Sequence, residues 1–169
     1  MQPLEIYQRV KARFSDKVLE VVEKPPDPFI VLDPAALVDV CRFLKDDGDL
    51  AMDCLSNQSG VDYPEHIEVV VHLFSYRHRH GAVLKLKLPR DNPHVSTLEN
   101  VWKSANWMER EIFDLLGVNF DGHSDMRRLL MPEDWAGYPL RKDFVEPLEY
   151  HGISTTRESP IIRLEAKNK

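Results

Sequence analysis

The spacing of apolar and polar positions changes period several times along the chain, and each change marks an element. Leu4, Tyr7, Lys11 and Phe14 recur at helical spacing behind Pro3, which suits a first-turn position and predicts a helix ending near Phe14. Residues 18–22 and 29–32 are short apolar runs that predict strands. Between them, Lys24-Pro25-Pro26-Asp27-Pro28 is a proline-stiffened link that cannot continue a sheet ladder. Asp33-Pro34 places an N-cap acid before a first-turn proline. Leu37, Val40, Cys41 and Leu44 then mark the buried face of a second helix, closed by Gly48. Residues 50–55, 67–76 and 82–88 predict three further strands. The last alternates Leu84, Lys85, Leu86, Lys87 and Leu88, as a half-solvated sheet requires. Arg77-His78-Arg79-His80-Gly81 is the hairpin loop between the second and third of these.

Short connections imply antiparallel neighbours, and the helix between the strands near residues 30 and 52 implies a crossover. The expected fold is α+β: a mostly antiparallel sheet with helices packed on it, in a ferredoxin-like arrangement. Ser96-Thr97-Leu98-Glu99 has the spacing of a capping box, and Asn106-Trp107-Met108-Glu109 repeats it with a weaker cap. Residues 97–116 therefore form either one helix of about 20 residues or a short turn followed by a helix from near Asn106. The latter is our reading.

Glu109-Arg110-Glu111-Ile112-Phe113-Asp114-Leu115-Leu116-Gly117 carries four charged and four apolar residues in nine positions. As a helix it puts Met108, Ile112, Leu115 and Leu116 on one face and Arg110, Glu111 and Asp114 on the other, ending at a Gly117 C-cap. Beyond Gly117 the periodicity stops, and prolines at 132, 139, 147 and 160 argue against long elements. The expected division is an α+β domain over residues 1–117 and a long extended interface tail over residues 118–169. Phe120, Leu129, Leu130, Met131, Trp135, Tyr138, Leu140 and Phe144 make that tail too apolar for disorder. It must lie against a partner or fold back over its own sheet.

A chain of 169 residues with 43% apolar content suits one domain. A net charge of -6 without a basic stripe disfavours nucleic acid. The apolar run at residues 67–74 is interrupted by Glu68 and His72 and falls short of the ~18 residues of a membrane span. The start, Met1-Gln2-Pro3-Leu4-Glu5, lacks the layout of a secretory signal, so a cytoplasmic location is expected. Cys41 and Cys54 cannot ligate an iron–sulfur cluster alone; they read as two reduced buried thiols, with a disulfide as the alternative.

Glu109, Glu111 and Asp114 could be read as acid–base carboxylates, and His123 with Asp125 as metal ligands. Glu109 and Glu111, however, stand about 200 degrees apart on a helix and cannot converge on one atom. Arg110 and Asp114 are one turn apart and can pair, which favours a structural ion-pair network. Arg127, Arg128, Arg141 and Lys142 could hold phosphate, but no glycine-rich loop accompanies them, and forked arginines between apolar anchors suit an interface. His72, His78 and His80 read as a solvated turn rather than a metal set. No nucleophile elbow is present. No catalytic, cofactor-binding or metal-ligating residue is therefore expected.

The spacing from Glu109 to Gly117, with His123 and Arg127-Arg128 at set offsets, resembles the signature of the C subunit of proton-pumping NADH:quinone oxidoreductase, the respiratory complex I 30 kDa subunit family. Ala105-Asn106-Trp107 and the stretch Pro132-Glu133-Asp134-Trp135-Ala136-Gly137-Tyr138-Pro139-Leu140-Arg141-Lys142-Asp143 fit it as well. The specific resemblance covers roughly residues 98–147. It implies a stand-alone, cofactor-free scaffold of the peripheral arm, on the cytoplasmic side of the cell membrane and attached only through the complex. Its neighbours would be the hydrogenase-like D subunit that helps form the quinone pocket and the iron–sulfur subunits. FMN and iron–sulfur clusters would carry electrons from NADH to quinone elsewhere in the complex. Glu109, Arg110, Glu111, Asp114, His123, Arg127, Arg128, Trp135, Tyr138, Arg141, Lys142 and Asp143 would form the interface or structural network. Equivalent subunits of deazaflavin- or ferredoxin-dependent quinone reductases or of membrane-bound hydrogenases are the alternative. A free-standing metal enzyme using His123, Asp125 and a glutamate is a more remote one.

Overall fold

A computed structural model describes residues 1–23 and 28–155. Most of the prolyl link at 24–28 and the end of the tail, including Pro160, thus lie outside the described residues. Helix α1 (Pro3–Arg13) begins with the Gln2 N–H donating to Glu5 Oε2 at 3.0 Å. Its buried face is Ile6, Tyr7 and Val10, whereas Leu4 and Phe14 are half-buried and Lys11 is exposed. Two stripes at helical spacing compete in this segment, and packing against the sheet selects the more apolar one.

Strands β1 (Val18–Val22) and β2 (Phe29–Leu32) pair antiparallel. Asp33 then caps a 3₁₀ turn by accepting the Ala35 N–H at 3.0 Å, and α2 (Leu37–Asp46) follows with Leu37, Val40, Cys41 and Leu44 fully buried. Gly48 does not close this helix. The Asp47 carboxylate does so by accepting the N–H groups of Asp49 and Leu50 at 3.0 and 3.2 Å, a local side-chain turn that competes with further helix. The next strand also departs from expectation: residues 50–53 are irregular and β3 runs Cys54–Asp62. Its centre, Ser56-Asn57-Gln58-Ser59, is polar because β3 is an edge strand, and only main-chain pairing with β4 (His66–Ser75) defines it.

A tight turn joins β4 to β5 (His80–Pro89), and the sheet order is β1-β2-β5-β4-β3. Crossover through α2 carries the chain to the far edge, and two hairpins return it, so β5 lies parallel to β2 with Ile30 opposite Leu84. A ferredoxin-like order would need a helix between β4 and β5, which this mixed α+β sheet lacks. Ile30, Leu32, Ile67, Val69, Val71, Leu84, Leu86 and Leu88 form the core face. Of the cysteines, both free, Cys41 is fully buried and Cys54 only half-buried.

After β6 (His94–Ser96), residues 97–104 form turns rather than a helix. The Thr97 Oγ1 accepts the Glu99 N–H at 3.0 Å, closing a local turn in place of a capping box. Helix α3 runs Ala105–Leu116, followed by β7 (Asn119–Asp121), which pairs parallel with β6. Phe120 and Val118 join the main core. The remaining described chain is irregular apart from a hairpin of β8 (Glu149–Tyr150) and β9 (Ile153–Ser154), turned by His151 and Gly152 at φ 51° and 78°.

Gly117 ends α3 in the left-handed region at φ 74°. A Cβ there would collide with the Tyr138 ring, so backbone and packing both demand glycine. Gly117→Ala should lose about 1–3 kcal/mol in urea denaturation. Gly48→Ala, with nothing within 4 Å of its Cβ position, should change stability by less than about 0.5 kcal/mol.

Candidate functional site

The charged stripe of α3 faces inward. Asp114 is fully buried. Its Oδ1 accepts Arg128 Nη1 at 2.7 Å, and its Oδ2 accepts three successive main-chain N–H groups, from Leu129, Leu130 and Met131, at 3.0, 2.6 and 2.8 Å. This is an anion nest built from the tail. Burial alone would push the Asp114 carboxyl up, yet the Met131 N–H, the Arg128 guanidinium and the Leu130 and Leu129 N–H groups together hold it below the ordinary carboxylate range. Arg128 also donates to the carbonyls of Asp114, Trp135 and Gly137 at 3.1, 2.9 and 3.1 Å, so one side chain joins three segments.

Arg110 and Asp114 do not pair with each other. Buried Arg110 donates to the Arg127 and Arg128 carbonyls at 3.2 and 3.3 Å and lies 3.8 Å from Asp125. In place of the helix pairing, the two side chains take the Arg127 and Arg128 carbonyls and the N–H groups of residues 129–131. Glu109 is fully buried on another side of the helix, accepting the Thr97 hydroxyl at 2.5 Å, the Leu98 N–H at 2.7 Å and Gln58 Nε2 at 3.4 Å. Burial pushes its carboxyl up against the pull of those donors. Of the three carboxylates only Glu111 is exposed.

His123 bridges two main-chain groups: Nε2 donates to the Asn106 carbonyl at 3.1 Å, while Nδ1 accepts the Asp125 N–H at 3.0 Å. Both ring nitrogens are thus occupied, and Asp125 faces exposed Arg127 at 3.0 Å. Among the described residues no group of three His, Cys, Asp or Glu is placed to hold a metal ion. At the hairpin before β5, His78 is exposed but His80 is buried, each with Nε2 on a carbonyl, of Gly48 at 2.9 Å and Leu50 at 2.7 Å. The expected solvated turn is therefore only half solvated, because loop 47–51 folds over it.

A second buried carboxylate anchors the tail farther along. Asp62 accepts the Lys142 N–H at 2.7 Å and pairs with Arg90, whose Nη2 reaches Asp143 at 3.0 Å. Arg141 Nε donates to the Leu116 carbonyl at 2.7 Å, satisfying the end of α3, and packs on the Tyr138 ring at 4.9 Å. It is the Lys142 main chain, not its ammonium, that is used. Trp135 lies 5.1 Å from Tyr150, whose hydroxyl, like His151, bonds Asp134. Thr97, Gln58, Asp62 and Arg90 were not legible as members of this network; they sit in turns or edge positions that no period marks.

The family described as the respiratory-chain NADH dehydrogenase 30 kDa subunit matches residues 30–150, which takes in the sheet from β2 onward without β1, α3 and both tail anchors. The chain belongs to this family. Among its relatives, the C subunit of the NADH-quinone oxidoreductase of Roseiflexus sp. (strain RS-1) is 43% identical over 141 residues, covering 82% of this chain and 81% of the relative. Its counterpart from Chlorobium phaeobacteroides is 39% identical over 156 residues, or 90% and 94%. In three dimensions the chain resembles the trypsin-resistant fragment (1–134) of Nqo5 with a TM-score of 0.62 at 22% identity, over 74% of this chain and 99% of that one. It also resembles a chain of the membrane-bound sulfane sulfur reductase, an archaeal respiratory membrane complex, with a TM-score of 0.69 at 25% identity, over 84% and 85%. In this 30 kDa family member, the buried charges of α3, Glu109, Arg110 and Asp114, are internal fastening.

Removing one partner of such a buried set leaves the others unsatisfied, so Asp114→Ala should cost about 3–5 kcal/mol in chemical denaturation. The folded carboxyl titrates below its unfolded value, so its stabilisation is complete above about pH 4 and disappears as pH falls through the lower folded value. Protection of the Leu129–Met131 amides against hydrogen exchange, relative to their intrinsic rates, should fall in that acid window and stay high above it. Glu109→Gln, which keeps an acceptor for the Leu98 N–H, should lose markedly less stability than Glu109→Ala.

Proposed function

We propose that this chain is a cofactor-free structural subunit in the peripheral arm of a proton-translocating NADH:quinone oxidoreductase. It supports, without performing, electron transfer from NADH through FMN and iron–sulfur clusters to quinone. Its proposed neighbours are the hydrogenase-like D subunit and iron–sulfur subunits, with membrane attachment on the cytoplasmic side only through the complex. The observation that carries this reading is that the tail is fastened to α3 and the sheet while keeping large apolar side chains outside: Leu130 at 61%, Leu140 at 59%, Val145 at 84% and Leu148 at 76% exposed. An irregular strap held in place yet apolar outward suits a surface that a partner covers. Residues 1–117 would then carry the sheet and helices, and residues 118–169, docked on the core at their start by Val118 and Phe120, the interface, with Glu109, Arg110, Glu111, Asp114, His123, Arg127, Arg128, Trp135, Tyr138, Arg141, Lys142 and Asp143 setting its shape.

Among the described residues no helix is long and apolar enough to cross a membrane, which agrees with attachment through other subunits. The likeness to a chain of the sulfane sulfur reductase complex supports a second reading, an equivalent place in a related membrane-bound respiratory complex. Purification of the tagged chain from its native membranes separates the two, since FMN-binding NADH-oxidising subunits should accompany it only in the first.

The double variant Val145→Ser with Leu148→Ser should melt like the parent chain but recover several-fold less D-like subunit on co-purification, since these side chains are already exposed to water. Equal recovery would move the interface off the tail. Stoichiometric iron or flavin in the purified chain would overturn the cofactor-free assignment.

A further inference from the structure

The β8–β9 hairpin presents more than apolar surface. Against the strap it forms an open hollow of about 560 Å³, lined by Trp135, Glu146, Tyr150, Ile153, Ser154 and Thr155. The half-buried Trp135 and Tyr150 rings stand 5.1 Å apart with 53° between their planes. Their wall is fixed in orientation, because the Tyr150 hydroxyl donates to Asp134 Oδ1 at 2.7 Å.

Charge in this segment is one-sided. Residues 144–155 contain Glu146 and Glu149 but no lysine or arginine, and His151 is held by Asp134 at 2.6 Å. Both glutamates are exposed, and among the described residues their side chains make no hydrogen bond or ion pair. Val145 and Leu148 are their neighbours in the chain, and Ile153 in the wall of the hollow is 70% exposed. A partner that covers these apolar side chains must therefore cover the two carboxylates as well, and under purely apolar surface they would be stranded at high cost. The partner has to bring cations. Aromatic faces are negative too, so a cation over Trp135 and Tyr150 is attracted by the rings and by Glu146 together.

We infer that this hollow receives a lysine or arginine side chain from a basic, apolar-flanked segment of a neighbouring subunit, its stem along Ile153 and its charged head between the two rings and Glu146. The inference rests on the subunit reading proposed above. Lysine and arginine both join an apolar stem to a cationic head, which matches a wall of Ile153 leading to rings and a carboxylate. A free small cation would neutralise Glu146 but leave Val145 and Leu148 in water, so a protein source is favoured.

The test uses the tagged full chain expressed in its native membranes, with Ile153 replaced by photo-crosslinking benzoylphenylalanine, and separately with the pair Glu146→Gln and Glu149→Gln or the pair Glu146→Lys and Glu149→Lys. Illumination should join the position of Ile153 to a peptide of another subunit that contains lysine or arginine. The lysine pair should lower recovery of that subunit about tenfold, with the glutamine pair intermediate and the melting temperature of both purified variants unchanged. Added salt should weaken recovery by the parent chain more than by the glutamine pair. Replacing the identified cation by glutamate should restore recovery with the lysine pair. A crosslinked peptide without a cation, a crosslink to residues 156–169 of the same chain, partner subunits recovered without a crosslink, or undiminished recovery with the lysine pair would overturn this inference while leaving the subunit reading standing. Co-sedimentation with phosphatidylcholine vesicles, lost in the lysine pair and without a protein crosslink, would overturn the protein source. Wild-type chain recovered with no other subunit would overturn both readings.

Discussion

The arrangement of the second half of this protein depends on a carboxylate with no access to water. Asp114 sits at the end of α3 with no room for hydration, so the chain must bring donors to it, and it does so with Arg128 and three consecutive main-chain N–H groups. A buried ion pair is weak evidence of net stabilisation, because desolvation offsets much of the attraction. What it provides is direction: residues 128–131 run where four bonds converge on two oxygens. From there Arg128 reaches the Trp135 and Gly137 carbonyls, and Tyr138 covers the glycine that ends the helix. The irregular strap has a defined course because each bend answers a polar group that would otherwise be stranded.

The same logic divides the charges of α3 by direction. Glu109 joins the helix to β3 and to the turn after β6, Arg110 and Asp114 join it to the tail, and Glu111 faces outward. A segment that reads as a charged surface helix is in effect a junction whose polar side chains are mostly internal. This arrangement is compatible with a subunit that positions others, since rigid placement of an interface needs its supporting groups locked from behind.

Much of this was legible in the chain itself, for reasons that are local. Leu37, Val40, Cys41 and Leu44 form an apolar repeat without competitors, and β5 alternates cleanly, so both elements appear where periodicity places them. Gly117 carries a conformational requirement that any helix end would reveal. Strand β3 was not legible beyond its first two residues, because an edge strand with Gln58 facing in and Ser56 facing out has no apolar period. Nor was the burial of Glu109, Arg110 and Asp114. Hydropathy assigns a charged residue to water, and only donors that arrive after the helix, at residues 127–131, make the opposite arrangement possible. The capping-box pattern at residues 96–99 misled for a related reason: Thr97 had a better use, bonding Glu109 across the fold.

The parallel contact between β2 and β5 has a kinetic implication. β3, β4 and β5 form a meander of sequence neighbours that can zip together quickly, whereas Ile30 must wait for Leu84 before the sheet is complete, and Asp114 must wait for Met131. Closing such long loops costs chain entropy before any contact offsets it. During synthesis, therefore, the meander would be assembled while β1 and β2 still lacked a place to dock and α3 still held an unsatisfied charge. The outer edge of β5 would be the template on which the N-terminal strands settle, and the strap would be the last part to find its course.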